Sequence, residues 1–267
     1  MKLFDSHAHL DDERFNEDRE EIIEKINKSG VTKFISAGYS LESSKKAIEL
    51  SEKYDYIYAT CGISPNDIPQ NENNLWKEIE EMQKLLKQDF GKNKIVAIGE
   101  IGLDYYWEKD INRREQQKKA FISQIKIANN FDLPIVIHTR EAVMDTITIL
   151  KEAEVLKKGV FHCCPLNREL VKEALKLGFY ISFAGPVTFK NSKNAEEIIQ
   201  MVPNEKILIE TDSPYLSPEP FRGKRNTPQN VKYIAEKIAQ VKGLPIEVIA
   251  ELTYKNAKTL FNIQDDI

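Results

Sequence analysis

Histidine is scarce in this chain. Only four of its 267 residues are histidines, and cysteine is rarer still, with Cys61, Cys163 and Cys164. An odd number of cysteines, two of them adjacent, does not suit a disulfide framework and fits a reducing compartment. Long apolar runs are missing as well. No stretch approaches the length needed to cross a bilayer, and Met1-Lys2-Leu3 leads into Asp5 without a secretory apolar region, so the chain reads as cytoplasmic with no membrane partner. A surplus of one charge is also lacking: 38 Lys and Arg against 42 Asp and Glu leave a formal charge of −4. That balance excludes a protein that grips nucleic acid by whole-chain electrostatics alone, while a local basic groove, or metal ions where a phosphate sits, remain open to it. What is present is ordinary for a soluble protein, with 41% hydrophobic and 30% charged residues. The length fits one large domain spanning residues 1–267.

Short β-branched runs recur with amphipathic stretches between them. Strands are expected at KLFDS (2–6), TKFISAG (32–38), YIYATCGI (56–63), KIVAIGEIG (94–102), PIVIHT (134–139), GVFHCC (159–164), FYISFAG (179–185) and KILIETD (206–212). Helical periodicity fills the gaps, as in RFNEDREEIIEKINKSG, where Ile22, Ile23 and Ile26 share a face. Gly30, Gly159 and Gly178 stand where helices should stop, and two further helices follow the last strand. Eight strand-helix alternations at this length predict an α/β fold of the (β/α)8 TIM barrel type, with a doubly wound sheet as runner-up.

The rare residues fall in a pattern. His7 and His9 are separated by one alanine at the end of the first strand, where residues i and i+2 point the same way. His138 and His162 end strands 5 and 6, Glu100 ends strand 4 in AIGEIGLD, and Asp212 ends strand 8 in LIETDSP. Carboxylates that follow apolar runs are costly to bury unless paired or bound to metal. A barrel gathers all these strand ends on its C-terminal rim, so a metal site is expected there. Four imidazoles and two carboxylates exceed one tetrahedral zinc and suit two ions sharing a ligand. Strand neighbourhood puts His7, His9 and Asp212 around one ion and His138 and His162 around the other, with Glu100 bridging. Mixed nitrogen and oxygen ligation admits zinc, manganese or magnesium.

Several of these segments together resemble the TatD family of metal-dependent deoxyribonucleases, within the amidohydrolase-like barrels. The matching stretches are FDSHAHLD, GEIGLDYYW, PIVIHTREA, FHC, AGPVTFKN and ETDSPYLSPEPFRGKRNTPQNV, which run through essentially the whole chain in order. The resemblance implies that one ion is held by His7, His9, Glu100 and Asp212 and the second by Glu100, His138 and His162. It also implies a DNase, a 3′-5′ exonuclease that hydrolyses phosphodiesters through a two-metal-activated water. The chain departs from the family pattern at GISPND, where Ser64 and Asn66 replace the histidines of a GIHPHD-like segment, and at FHCCPLN in place of FHCFSGS. A weaker phosphate or leaving-group contact is expected at the first of these.

Asp212 is the candidate for orienting the water and taking its proton, with a role as ligand only as the alternative; Glu100 is the other catalytic candidate. Arg140, two residues beyond His138, and Lys190 are candidate phosphate clamps, Arg140 having a helix-cap ion pair near Glu141 as its alternative. Arg222, Lys224 and Arg225 flank Gly223 in FRGKRNTP and offer a basic patch for a nucleic-acid backbone, or a merely solvated loop. Tyr105, Tyr106 and Trp107 offer stacking surfaces for unpaired bases, or a plug for the barrel mouth. The partner expected is nucleic acid as substrate, DNA foremost, acted on by a monomer. A metal-dependent amidohydrolase or lactonase acting on a small molecule is the alternative function, because the same metal shell activates water against carbon as well as phosphorus. A non-catalytic metal-stabilised binding protein would need both ions closed to water.

Overall fold

The computed structural model describes residues 1–89, 92 and 94–264. Eight parallel strands follow one another in chain order through a single sheet. They are β1 (Leu3–Ala8), β2 (Val31–Ser36), β3 (Ile57–Cys61), β4 (Ile95–Asp104), β5 (Ile135–Arg140), β6 (Gly159–Phe161), β7 (Tyr180–Phe183) and β8 (Ile207–Ile209). Helices intervene: α1 (Arg19–Lys28), α2 (Leu41–Lys53), α3 (Glu72–Gln88), α4 (Ile111–Asn130), α5 (Val143–Glu152), α6 (Arg168–Lys176) and α7 (Ala195–Met201), with α8 (Val231–Lys242) and α9 (Ile246–Phe261) after the last strand. This is the strand order of the (β/α)8 barrel class. None of the described helices is long and apolar enough to cross a membrane.

The chain forms two compact units, one of residues 1–36 and 162–267, the other of residues 37–161. In the first, β1 pairs with β2 and β7 with β8. There β8 also lies against β1: Ser6 Oγ donates to the Ile209 carbonyl at 3.0 Å, and the Asp212 amide to the His7 carbonyl at 2.9 Å. Every residue of β1 is buried, as expected of a parallel strand covered on both faces. Helix α9 buries Ile249, Ala257, Leu260 and Phe261, the last with its ring 6.5 Å from that of Phe4. A polar residue pins the same helix, since Asn256 Nδ2 donates to the carbonyls of Asn204 and Ile207 at the entry to β8.

In the second unit β3, β4, β5 and β6 pair in sequence. All ten residues of β4 are buried. Two buried glutamines of α4 hold the ends of its strands. Gln124 exchanges both of its amide hydrogen bonds with the backbone of Ile63, and Gln117 Oε1 accepts from the Asp104 amide at 3.0 Å while its Nε2 reaches the Pro65 carbonyl. A buried amide that satisfies loop backbone in this way fixes the position of whatever side chain follows.

The boundaries differ from expectation at two functional ends. β6 and β8 stop at Phe161 and Ile209, short of His162 and Asp212. The reason is local: Cys163 and Asp212 have φ of 37° and 56°, in the left-handed region, so neither continues a strand. Gly30 and Gly178 end their helices at φ of 93° and 88°. Gly159 does not serve as a helix stop; α5 has already ended at Glu152, and Gly159 opens β6, paired with Ile135.

Candidate metal centre

Within the first unit the two imidazoles of HAH turn inward from the end of β1, with His7 fully buried and His9 nearly so. Their Nε2 atoms are 3.2 Å apart. Asp212, delivered by the turn after β8, places Oδ1 3.2 Å from His9 Nε2 and 3.7 Å from His7 Nε2. The imidazole of His162 stacks on that of His7, with centroids 4.1 Å apart. His7, His162 and Asp212 offer ligand atoms that all lie within 4.8 Å of one another.

These distances test whether a metal ion fits. Donors about 2.0–2.1 Å from a common tetrahedral centre stand about 3.3–3.4 Å from one another. Edges of 3.2, 3.2 and 3.7 Å match that figure. Two imidazole nitrogens and a carboxylate, all buried, form the mixed nitrogen and oxygen donor set of a divalent transition-metal site. Burial works to neutralise Asp212, but the hydrogen bond and charge of His9, with the charges of His162 and His7, outweigh it and hold the carboxyl below its ordinary value. It is therefore an anion at neutral pH, as a ligand must be. Its left-handed backbone, uncommon outside glycine, is conformational strain of the kind that collects at functional sites.

A supporting carboxylate stands behind His162. Glu210, fully buried, has Oε1 3.4 Å from His162 Nδ1 and accepts from the Cys163 amide at 2.6 Å. Asp5 does similar work one strand away, receiving the Thr211 amide at 2.9 Å, its hydroxyl at 2.5 Å and the His7 amide at 3.3 Å. The outer face of His9 meets Tyr215, whose ring lies beneath the Arg14 guanidinium at 4.1 Å. Asp12 joins the two, pairing with Arg14 through both oxygens and accepting from the Tyr215 hydroxyl.

In the second unit β4 and β5 bring Glu100 and His138 together, Glu100 Oε1 lying 2.9 Å from His138 Nδ1. The other ring nitrogen, Nε2, is 3.0 Å from Asp104 Oδ2. This is the carboxylate-histidine pairing that fixes the tautomer and aim of a metal-binding imidazole. Close approach of the strands depends on Gly102, which pairs with His138 at φ 144°; a Cβ there would meet the His138 carbonyl oxygen at 1.9 Å. Asn66, which stands where the family pattern has a histidine, donates to Asp104 Oδ2 at 3.1 Å, and Ser64 donates to Asp67 at 2.6 Å. GISPND thus braces the carboxylate that faces His138.

The expected substrate contacts separate into engaged and open groups. Arg225 is committed to Asp18 through both its terminal nitrogens and lies over Phe15. Arg222 donates to Asn191 and covers Phe189, and Lys224 sits 6.0 Å from the Phe221 ring. Lys190 is exposed. Tyr105 is not a free stacking surface: its hydroxyl donates to Asp145 at 2.6 Å and Arg114 covers its ring at 4.4 Å. Burial and Asp145 push its phenol well above the usual value. Arg140 is exposed and lies 3.8 Å from the centre of the Tyr106 ring.

Asp5, Asp104 and Glu210 were not among the expected site residues. The signal was available for two of them, since Asp5 precedes His7 by two residues and Glu210 precedes Asp212 by two, the spacing of one strand face.

The family model for TatD related DNases matches residues 4–262. The chain is 45% identical over 265 residues to YabD of Bacillus subtilis, described as an uncharacterized metal-dependent hydrolase, covering 98% of this chain and 99% of that one. It is 32% identical to a 3′-5′ ssDNA/RNA exonuclease, TatD of Escherichia fergusonii, covering 98% and 99%. Among solved structures, that of YJJV, a TatD homolog from Escherichia coli, superposes with a TM-score of 0.90 at 27% identity, over 98% of both chains. With its histidine and carboxylate clusters at the strand ends, the chain is a metal-dependent hydrolase and belongs to the TatD related DNase family.

Proposed function

We infer that this protein is a divalent-metal-dependent 3′-5′ exonuclease that hydrolyses phosphodiester bonds of single-stranded DNA, working as a monomer whose ligands all come from one chain. The observation that carries the reading is the His7, His9 and Asp212 triangle, whose edges suit one ion. Family membership supports the rest of the assignment, and a relative is named as a single-strand exonuclease. In this reading His7, His9, Glu100 and Asp212 hold one ion and Glu100, His138 and His162 a second. When bound, two such ions supply Lewis acidity, polarising a phosphoryl oxygen and lowering the pKa of water at the site.

The residues of the chain do the remainder. Asp212, ionised at neutral pH and strained into position, orients the attacking water and accepts its proton. Asp104 holds His138 in one tautomer, and Glu210 lies 3.4 Å from Nδ1 of His162. The water oxygen bonds to phosphorus, the bond to the leaving 3′ oxygen breaks, and the proton returns to that oxygen. The products are a phosphate monoester and a free hydroxyl.

The test uses metal-stripped protein, restored with magnesium, manganese or zinc and given single-stranded DNA labelled at the 5′ or the 3′ end. Shortening from the 3′ end that requires metal and disappears in Asp212→Asn is the expected result. Protein shown to bind two ions yet unable to cut DNA would overturn the substrate and turn attention to small esters, amides and lactones.

A further inference from the structure

Tyr106 and Trp107 lie two and three residues beyond the end of β4 and are poor candidates for a core plug. Their side chains are 40% and 66% exposed, in a chain that has only two tryptophans. Single exposed apolar side chains are ordinary, but exposed aromatics that lie side by side make the contiguous kind of surface where interaction sites are found. The two rings meet edge to face, with centroids 4.7 Å apart at 85°, and the guanidinium of Arg140 caps the Tyr106 ring at 3.8 Å and stands 5.7 Å from the Trp107 ring. The result is a short aromatic shelf carrying a positive charge.

The shelf is rigid. Asp104 Oδ1 accepts the amides of both Tyr106 and Trp107, at 3.0 and 3.1 Å. The Tyr105 amide donates to the Arg140 carbonyl at 2.8 Å, and Arg114 donates to the carbonyls of Tyr105 and Glu108. Exposed aromatics on a braced loop bind without first being ordered, which removes an entropic cost. The shelf also continues the histidine and carboxylate cluster of its own unit: Asp104 contacts His138 through its other oxygen, and Arg140 is two residues beyond His138 on β5.

We propose that Trp107, backed by Tyr106 and flanked by Arg140, forms a base-stacking subsite that holds an unpaired base of the strand while the guanidinium faces its phosphate. The occupant is a single-stranded nucleic acid, because a flat π face recognises an unstacked base whatever its identity and the guanidinium favours an anionic backbone. A paired end keeps its bases stacked on one another and gains less here. The inference rests on the nuclease reading above and adds the element that selects unpaired ends.

The experiment compares wild type, Trp107→Ala, Trp107→Phe and Tyr106→Ala on two substrates, a single-stranded oligonucleotide and one of the same length with abasic sites at its 3′ end. Loss of a stacking partner is expected to raise KM on the normal strand by about 5- to 100-fold. On the abasic strand KM should hardly move, and Trp107→Phe should recover most of the loss. Equal losses on both strands, or none on either, would overturn the proposal. Failure of the nuclease reading registers separately, as absence of cleavage by the wild type. In that event the fluorescence of Trp107, read against Trp107→Phe during titration with the same two strands, decides the matter: quenching by the normal strand alone supports the subsite, and no difference overturns it.

Discussion

Asp104 Oδ2 lies 3.0 Å from Nε2 of His138, while the other oxygen of the same carboxylate holds the amides of Tyr106 and Trp107. One side chain therefore aims the imidazole of a candidate metal ligand and anchors the loop beside it. Burial alone would raise its pKa, but hydrogen bonds from His138, the Trp107 amide and Asn66, with the His138 charge, lower it to about 2. With a folded value below that of the unfolded chain, its contribution to stability is present above about pH 4 and is lost as the pH falls through that lowered value. Across the neutral range it remains an acceptor.

Asp104→Asn keeps the shape of this group and removes its charge. An amide nitrogen turned toward His138 Nε2 would demand the opposite tautomer. Affinity for the second ion is expected to fall about 10- to 100-fold. Competition against a coloured chelator measures it, and unchanged affinity would show that His138 is aimed by something else.

Gly102→Ala tests the close approach of β4 to β5. The new Cβ would meet backbone, the His138 carbonyl, in a conformation at φ 144° that side chains rarely adopt. A cost of about 3 kcal/mol or more is expected, at the upper end of what overpacking incurs. For a chain of this size each kcal/mol lowers the melting temperature by roughly 2–4 °C. Gly223→Ala is the control: it also has positive φ, at 87°, but open space around it, so only backbone strain of about 1–2 kcal/mol applies. Equal melting temperatures for the two variants would refute the packing argument.

How far this site was legible follows from what period-two reasoning can see. His7 with His9, and the carboxylates Glu100 and Asp212 at the ends of apolar runs, stand out because buried polar groups interrupt a hydrophobic pattern. The ends of β6 and β8 were overrun because left-handed φ at Cys163 and Asp212 leaves no compositional mark in non-glycine residues. Asp104 escaped notice for a different reason. It closes β4 through a contact with His138 across 34 positions of sequence, and its value comes from that partner. The basic run FRGKRNTP read as one patch, yet Arg225 is drawn to Asp18, 207 positions away, and no local pattern announces such a pairing.

The three cysteines are expected to differ sharply in reactivity. Burial pushes the Cys61 thiol up to about 12, and burial with the charge of Glu210 pushes Cys164 higher still. Cys163 is partly exposed. Since the thiolate is the reactive form, a chromogenic disulfide reagent at pH 8 should titrate one thiol in the native protein and all three in denaturant. Rapid reaction of two native thiols would contradict the burial of Cys61 or of Cys164.

Asp5 gives the opposite pH signature to Asp104. It is fully buried, and burial raises its pKa well above the ordinary value; hydrogen bonds from Thr211 and His7 offset only part of that, and the nearby charge of Glu210 adds to it. The fold therefore favours the protonated form. Its contribution is complete below the unfolded value near pH 4 and is lost as the pH rises through the folded value. Asp5→Asn keeps an acceptor for the Thr211 and His7 amides and has no charge to bury. With chelator present in both samples to remove linkage to metal, the melting temperature of the variant relative to wild type should become steadily more favourable between pH 4 and pH 8. A difference that stays constant over that range, or moves in favour of wild type, would mean that Asp5 is ionised in the fold at little cost and that its hydrogen bonds from Thr211 outweigh its burial.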